Sequence, residues 1–121
     1  MRALIIDDSR TMRMIVGRII RELGFEIIEA GDGQEGLKKL VECGTPEIIL
    51  VDWNMPVMNG FEFVKAVRAN PLYESAYIIM VTTETELSQI TRALEAGANE
   101  YVMKPFTKEV IRDKLLILGV A

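Results

Sequence analysis

Five short apolar runs punctuate the chain, near residues 2–6, 25–29, 47–51, 77–81 and 99–103, and the stretches between them carry apolar residues at every third or fourth position. The first run, Ala3-Leu4-Ile5-Ile6, is continuous rather than alternating, which suits a strand covered on both faces. The first helical stretch steps through Met12, Ile15, Ile19 and Leu23 and stops at Gly24. In the second, Asp32 and Glu35 have capping-box spacing, Leu37, Leu40 and Val41 form the apolar stripe, and Gly44 with Pro46 ends it. Asn59 and Glu62 open the third, Phe63, Val64 and Val67 point inward, and Asn70-Pro71 stops it. Thr85 or Thr83 opens the fourth, and Gly97 closes it. Thr107 caps the fifth, whose stripe is Val110, Ile111, Leu115 and Leu118.

Five strands alternating with five helices predict an α/β fold with right-handed crossovers and a doubly wound parallel sheet. In such sheets ligands bind at the carboxyl ends of the strands, where strand order reverses. Asp7 and Asp8 stand at that end of strand one, Asp52 at strand three, Thr82 at strand four and Lys104 at strand five; strand two ends without comparable chemistry.

Size and composition narrow the classes further. A chain of 121 residues makes one domain, 1–121, with 50% hydrophobic residues and no charge runs, so disorder is excluded. A net charge of −4 argues against nucleic-acid binding, and no apolar run nears the roughly 18 residues of a membrane span, so no membrane partner is expected. Cys43 is the lone cysteine, and Asp7-Asp8 interrupts any secretory signal, which points to the cytoplasm. The absence of histidine removes His-based catalysis, His metal ligation and phosphohistidine chemistry from this chain.

Taken singly, each strand-end residue has a bland explanation: Asp and Thr cap helices, and Lys-Pro begins loops. Capping needs one residue, however, and leaves an acidic doublet unexplained. With strands one and three adjacent, three carboxylates converge, and each pair repels by about 3–4 kcal/mol at roughly 4–5 Å. That repulsion calls for a cation or a shared proton; three anions clustered on hard oxygens read as a divalent site, and Mg²⁺ suits a few carboxylates and retained waters, with Mn²⁺ as a substitute. A hydroxyl and an ammonium aimed at the same place make a cradle for a tetrahedral anion. Asp52, alone on the central strand, is then the candidate nucleophile for an aspartyl phosphate, while Asp7 and Asp8 hold metal.

In "LIIDDSRTMR", "LVDWNMPVMNGFEF", "MVTTE" and "AGANEYVMKPFT" the sequence resembles, over essentially its whole length, the receiver domain of two-component response regulators. The resemblance implies a flavodoxin-like sheet of order 2-1-3-4-5. It implies that Asp52 takes a phosphoryl group from a sensor histidine kinase, that Asp7, Asp8, Asp52 and the Asn54 backbone carbonyl organise Mg²⁺, and that Thr82 and Lys104 bind phosphoryl oxygens. It further implies a cis Lys104-Pro105 peptide, a Thr82–Tyr101 switch, and Asn54 and Glu84 as residues that modulate dephosphorylation. On that basis the chain catalyses only its own phosphoryl acceptance and loss, and is not otherwise an enzyme.

With no effector domain expected after the last helix, output is by protein contact from a monomer, through the fourth helix, fifth strand and fifth helix. Leu87, Ile90 and Leu94 share one helical face there, with Ala93 and Ala96 on another, and either stripe suits the core. Tyr101 and Lys114 complete this expected face. "DWNMP", Asn54, Glu84, Tyr101 and "KPFT" are most similar to single-domain chemotaxis regulators of the CheY-like type, whose targets include the flagellar motor switch. Against that target, Glu86-Leu87-Ser88 lacks the basic character of motor-binding relatives. Two alternatives stay open: a phosphorelay intermediate that passes its group to a histidine phosphotransfer protein, and a Mg²⁺-dependent phosphohydrolase. Adjacent Asp7-Asp8 disfavours the second, because haloacid-dehalogenase phosphatases space their two acids two residues apart. An FMN carrier is disfavoured because the loop after strand one is acidic.

Overall fold

The computed structural model describes residues 1–83 and 88–120. Strands β1 (Arg2–Ile6), β2 (Glu26–Ala30), β3 (Ile48–Asp52), β4 (Tyr77–Thr82) and β5 (Glu100–Met103) form one parallel sheet of order β2-β1-β3-β4-β5. Helices α1 (Arg10–Glu22), α2 (Gly33–Cys43), α3 (Gly60–Arg68), α4 (Ile90–Ala96) and α5 (Lys108–Leu118) cover both faces, with a 3₁₀ turn at Pro71–Tyr73. The sheet is the doubly wound α/β arrangement expected from the alternation of runs.

Each central strand feeds two cores, because successive side chains point to opposite faces. Ala3, Ile5, Ile48 and Leu50 pack with Val16 and Ile20 of α1 and Ile111 and Leu115 of α5. Leu4, Ile6, Ile49 and Val51 pack with Leu40 of α2, Phe63, Val64 and Val67 of α3, and Ile90 and Ala93 of α4. The continuous apolar runs are therefore two alternating patterns superimposed.

Helix phases differ from the sequence expectation in three places. Ile15 is 51% exposed while the adjacent Val16 and Ile20 are buried. Val41 is 77% exposed, because α2 rests on Gly36, where an added Cβ would overlap Ile6 and approach Phe63 to 3.0 Å. Val110 turns outward while Ile111 and Leu115 fill the core. Thr83 lies beyond β4 and outside α4, which begins at Ile90 behind Gln89 with no side-chain cap bond; Thr85 lies outside the described residues. Where two apolar residues are adjacent, helical spacing alone does not choose between them, and the point of closest approach to the sheet does.

The end caps follow local chemistry more closely. Asn59 and Glu62 form a reciprocal capping box, and Thr107 accepts from the Val110 N–H. Asp32 accepts from the Glu35 N–H, the forward half of its box. Gly24 and Gly97 follow their helices at φ +98° and +121°. No helix among the described residues is long and apolar enough to cross a membrane.

Arg68, at the end of α3, clasps the far side of the sheet. Its guanidinium donates to the carbonyl oxygens of Gly97, Tyr73, Glu74 and Ala76 and to Asn99 Oδ1, all within 2.7–3.3 Å. Asn99 Oδ1 also accepts from the Ile78 N–H at 2.8 Å. Arg68→Ala leaves several of these acceptors without a donor and is expected to lower unfolding free energy by about 2–4 kcal/mol, read from the urea midpoint; Arg68→Lys recovers only part of it.

Candidate functional site

Strand register brings the site residues together. Ile6 lies opposite Val51, so the next residue on each strand sets Asp7 beside Asp52. Asp52 pairs in register with Val81, and Thr82 with Met103, so Thr82 and Lys104 complete the same edge. The Lys104 N–H donates to the Thr82 carbonyl at 2.8 Å, which ties the two strand ends.

The loop after β3 then folds back over the strand. The Gly60 N–H donates to the Trp53 carbonyl at 2.9 Å, and a Cβ at Gly60 would overlap the Asp52 carbonyl oxygen and come within 2.9 Å of Met80 Cε. Glycine is required there by close approach of backbone to backbone. Within the loop Met58 N–H donates to the Pro56 carbonyl at 2.7 Å, and Val57 sits at φ +67°, an expensive conformation for a β-branched residue.

Carboxylate oxygens of Asp7, Asp8 and Asp52 lie within 4.8 Å of one another. Asp7 and Asp52 are buried, 4% and 6% exposed, whereas Asp8 opens to solvent. Lys104 Nζ lies 3.2 Å from Asp52 Oδ1 and 3.4 Å from Asp7 Oδ2. Burial works to lower the Lys104 pKa, but the Asp52 and Asp7 carboxylates outweigh it, so the value is raised above the usual 10.5. Each carboxylate pair at that spacing still repels by about 3 kcal/mol or more, and one ammonium offsets one of three negative charges. The surplus of two charges, on hard oxygen donors with one solvent-facing member, matches a divalent ion that keeps waters. The acidic triad can therefore hold a metal ion.

Thr82 is fully buried, and its hydroxyl donates to the Thr83 carbonyl at 3.2 Å. Asn54 lies two residues past Asp52 with its side chain exposed. The Lys104–Pro105 peptide is cis. Tyr101 is half-buried against the α2–α4 core, with Lys114 Nζ 4.9 Å from its ring centroid and 3.1 Å from Glu100 Oε1. Of the three residues on the expected outer stripe of α4, Leu94 is 41% exposed, but Ile90 is only 6% exposed and belongs to the core beside Ala93. The helix turns that row inward because Ile90 and Ala93 together meet α3 and the sheet. Leu87 and Glu84 lie outside the described residues.

Two contributors escape motif reading. The Ser9 N–H donates to Asp7 Oδ1 at 2.9 Å, a backbone contact with no side-chain signature, while the Ser9 hydroxyl caps α1 by accepting from Met12. Gly60 left a trace, since glycine at the first position of a helix is a poor helix former and signals a steric need.

The response regulator receiver domain matches residues 3–116. The chain is 43% identical over 121 residues to "Chemotaxis protein CheY1" of Helicobacter pylori strain J99, covering 98% of each. It is 45% identical over 116 residues to "Chemotaxis protein CheY homolog" of Campylobacter jejuni, covering 95% of this chain and 89% of that one. The solved structure of Vibrio cholerae chemotaxis response regulator CheY4 superposes with a TM-score of 0.87 at 38% identity, covering 97% of both chains.

Gly60→Ala is expected to lower stability by about 1–3 kcal/mol through the clash with the Asp52 carbonyl and to shift Trp53 emission, checked by urea unfolding followed by fluorescence. Lys104 supplies the pH test. Its folded pKa is raised, so its contribution is complete below the usual 10.5 and is lost as pH rises through the folded value. The stability difference between wild type and Lys104→Met should therefore stay constant from neutral pH to about 9 and shrink above about 10.5.

Proposed function

The chain belongs to the response regulator receiver domain family, and from that membership we propose that it is a phosphoacceptor switch of chemotaxis signalling, loaded at Asp52 by a histidine kinase. The observation that carries this reading is the meeting of three carboxylates within 4.8 Å with a lysine bridging Asp52 and Asp7.

In the proposed step, an Asp52 carboxylate oxygen attacks the phosphorus of a phosphohistidine in line with the leaving nitrogen. The O–P bond forms as the N–P bond breaks, and the electron pair leaves on the imidazole, which takes a proton from solvent. Asp7, Asp8, Asp52 and the Asn54 carbonyl would hold Mg²⁺, which would supply charge neutralisation for the phosphoryl oxygens. Lys104, already 3.2 Å from Asp52, transfers its ammonium from carboxylate to phosphoryl oxygen. Asp7 stays fixed by Ser9 and Lys104. Hydrolysis reverses the state: water attacks phosphorus, inorganic phosphate leaves and the Asp52 carboxylate returns.

The added charge, roughly −1.5 to −2, draws the Thr82 hydroxyl from the Thr83 carbonyl toward the phosphoryl group. Tyr101 follows inward, away from Lys114, and the surface around Leu94, Met103, Tyr101 and Lys114 changes shape for its target. The site of action is the cytoplasm.

Incubation with a small acyl phosphate and Mg²⁺ is expected to add one phosphoryl mass to the wild type and none to Asp52→Asn, by intact-protein mass spectrometry. Asp8→Ala should raise the Mg²⁺ concentration at half-change of Trp53 emission by about tenfold or more, since losing a direct ligand costs at least as much as losing an outer contact that orients one. Equal mass gain in Asp52→Asn would place the acceptor elsewhere.

A further inference from the structure

A residue outside the acceptor machinery contacts the backbone of the acidic doublet. Arg13, on the first turn of α1, donates from Nη1 to the main-chain carbonyl of Asp7 at 2.5 Å and from Nε to Glu29 Oε1 on β2 at 3.2 Å. Its side chain is 18% exposed, so the contact is sheltered. We propose that Arg13 is a positioning residue for metal binding, which acts by holding the Asp7–Asp8 peptide plane so that both carboxylates face Asp52; the inference rests on the metal reading above.

A peptide unit is rigid from one Cα to the next, so fixing its oxygen fixes its rotation about the line joining Asp7 and Asp8. That rotation sets where the Asp8 side chain is aimed. Asp7 is anchored at several atoms: its N–H donates to the Ala30 carbonyl at 3.1 Å, and its carboxylate receives Ser9 and Lys104. Among the described residues the Asp8 carboxylate has no hydrogen bond or ion pair of its own, so its direction is inherited from the backbone. Arg13 holds the shared peptide, and Glu29 holds Arg13.

Two opposite effects follow from the guanidinium, and their signs separate them. As a positive charge near three carboxylates, Arg13 disfavours a cation, so its removal would tighten Mg²⁺ binding. As a positioning group it favours the ion, and its removal would loosen binding. Glu29 pairs with the charge and leaves the hydrogen bond to Asp7 intact, which favours the second. Outer contacts that orient ligands are worth about 10–100-fold in metal affinity.

The test titrates wild type, Arg13→Ala, Arg13→Lys and Glu29→Gln with MgCl₂, following Trp53 emission and the Mg²⁺-induced shift in thermal midpoint, with urea unfolding in the absence of metal run alongside. The expected result is a Kd for Mg²⁺ raised about tenfold or more in Arg13→Ala and raised less in Arg13→Lys, which keeps one donor. Glu29→Gln, with Arg13 intact, is expected to weaken binding least. An Arg13→Ala Kd equal to or tighter than wild type overturns the proposal. If Arg13→Ala does not fold, Arg13→Lys decides: weaker binding with the urea midpoint near wild type supports positioning, and unchanged binding overturns it. A wild-type protein that responds to Mg²⁺ by neither readout overturns the metal reading itself, and the Arg13 assignment with it.

Discussion

Three carboxylates forced within 4.8 Å of one another are the constraint around which this molecule is arranged. In water they would separate; here two are buried, and the parallel register of β1 and β3 gives them no room to part. Lys104 absorbs one unit of the repulsion by sitting between Asp52 and Asp7. The rest is a surplus of negative charge that a metal ion would relieve. The site is thus strained electrostatically in a direction that ligands relieve.

Holding such a site takes backbone contacts more than side-chain ones. Ser9 reaches Asp7 through its N–H, Arg13 reaches the Asp7 carbonyl, and Gly60 brings α3 down onto the Asp52 carbonyl. On the opposite side Arg68 gathers four carbonyls from the segments that precede β4 and β5. Both edges of the sheet are tied in this way, and Arg68 reaches Gly97 and Asn99 between α4 and β5. Tyr101 is only half-buried on β5, and its ring contact with Lys114 is a surface interaction of modest strength.

On the reading proposed above, a charge added at Asp52 would be read at a distance through that contrast. Thr82 is completely buried and hydrogen-bonded within its own strand end, so a move by its hydroxyl changes packing next to β5 and its immediate neighbours. The Trp53 and Phe61 rings, 5.9 Å apart, connect the acceptor loop to α3, and Arg92 of α4 lies 4.7 Å from the same Phe61 ring. The aromatic route leads from the Asp52 loop toward α4, and the Thr82 route toward β5.

Much of the fold was legible in the chain because its signals are local. Continuous apolar runs, helix-ending Gly24, Gly44 and Gly97, and the Asn59–Glu62 box act over a few residues, and backbone sterics and hydrogen bonding enforce them wherever the segment sits. Asp7, Asp8, Asp52, Thr82 and Lys104 could be nominated together for a related reason: parallel βα units put every strand's carboxyl end on one edge. What the sequence left open was rotation about helix axes. Ile15 or Val16, Val41 or Leu40, Ile90 or Leu94 are equivalent by period, and only the approach of each helix to the sheet, set by Gly36 on α2 and by the Ile90–Ala93 contact on α4, turned one inward. Arg13 and Arg68 stayed hidden for the same reason: their partners are carbonyl oxygens, which every residue carries, so which oxygen an arginine finds is decided by tertiary distance alone.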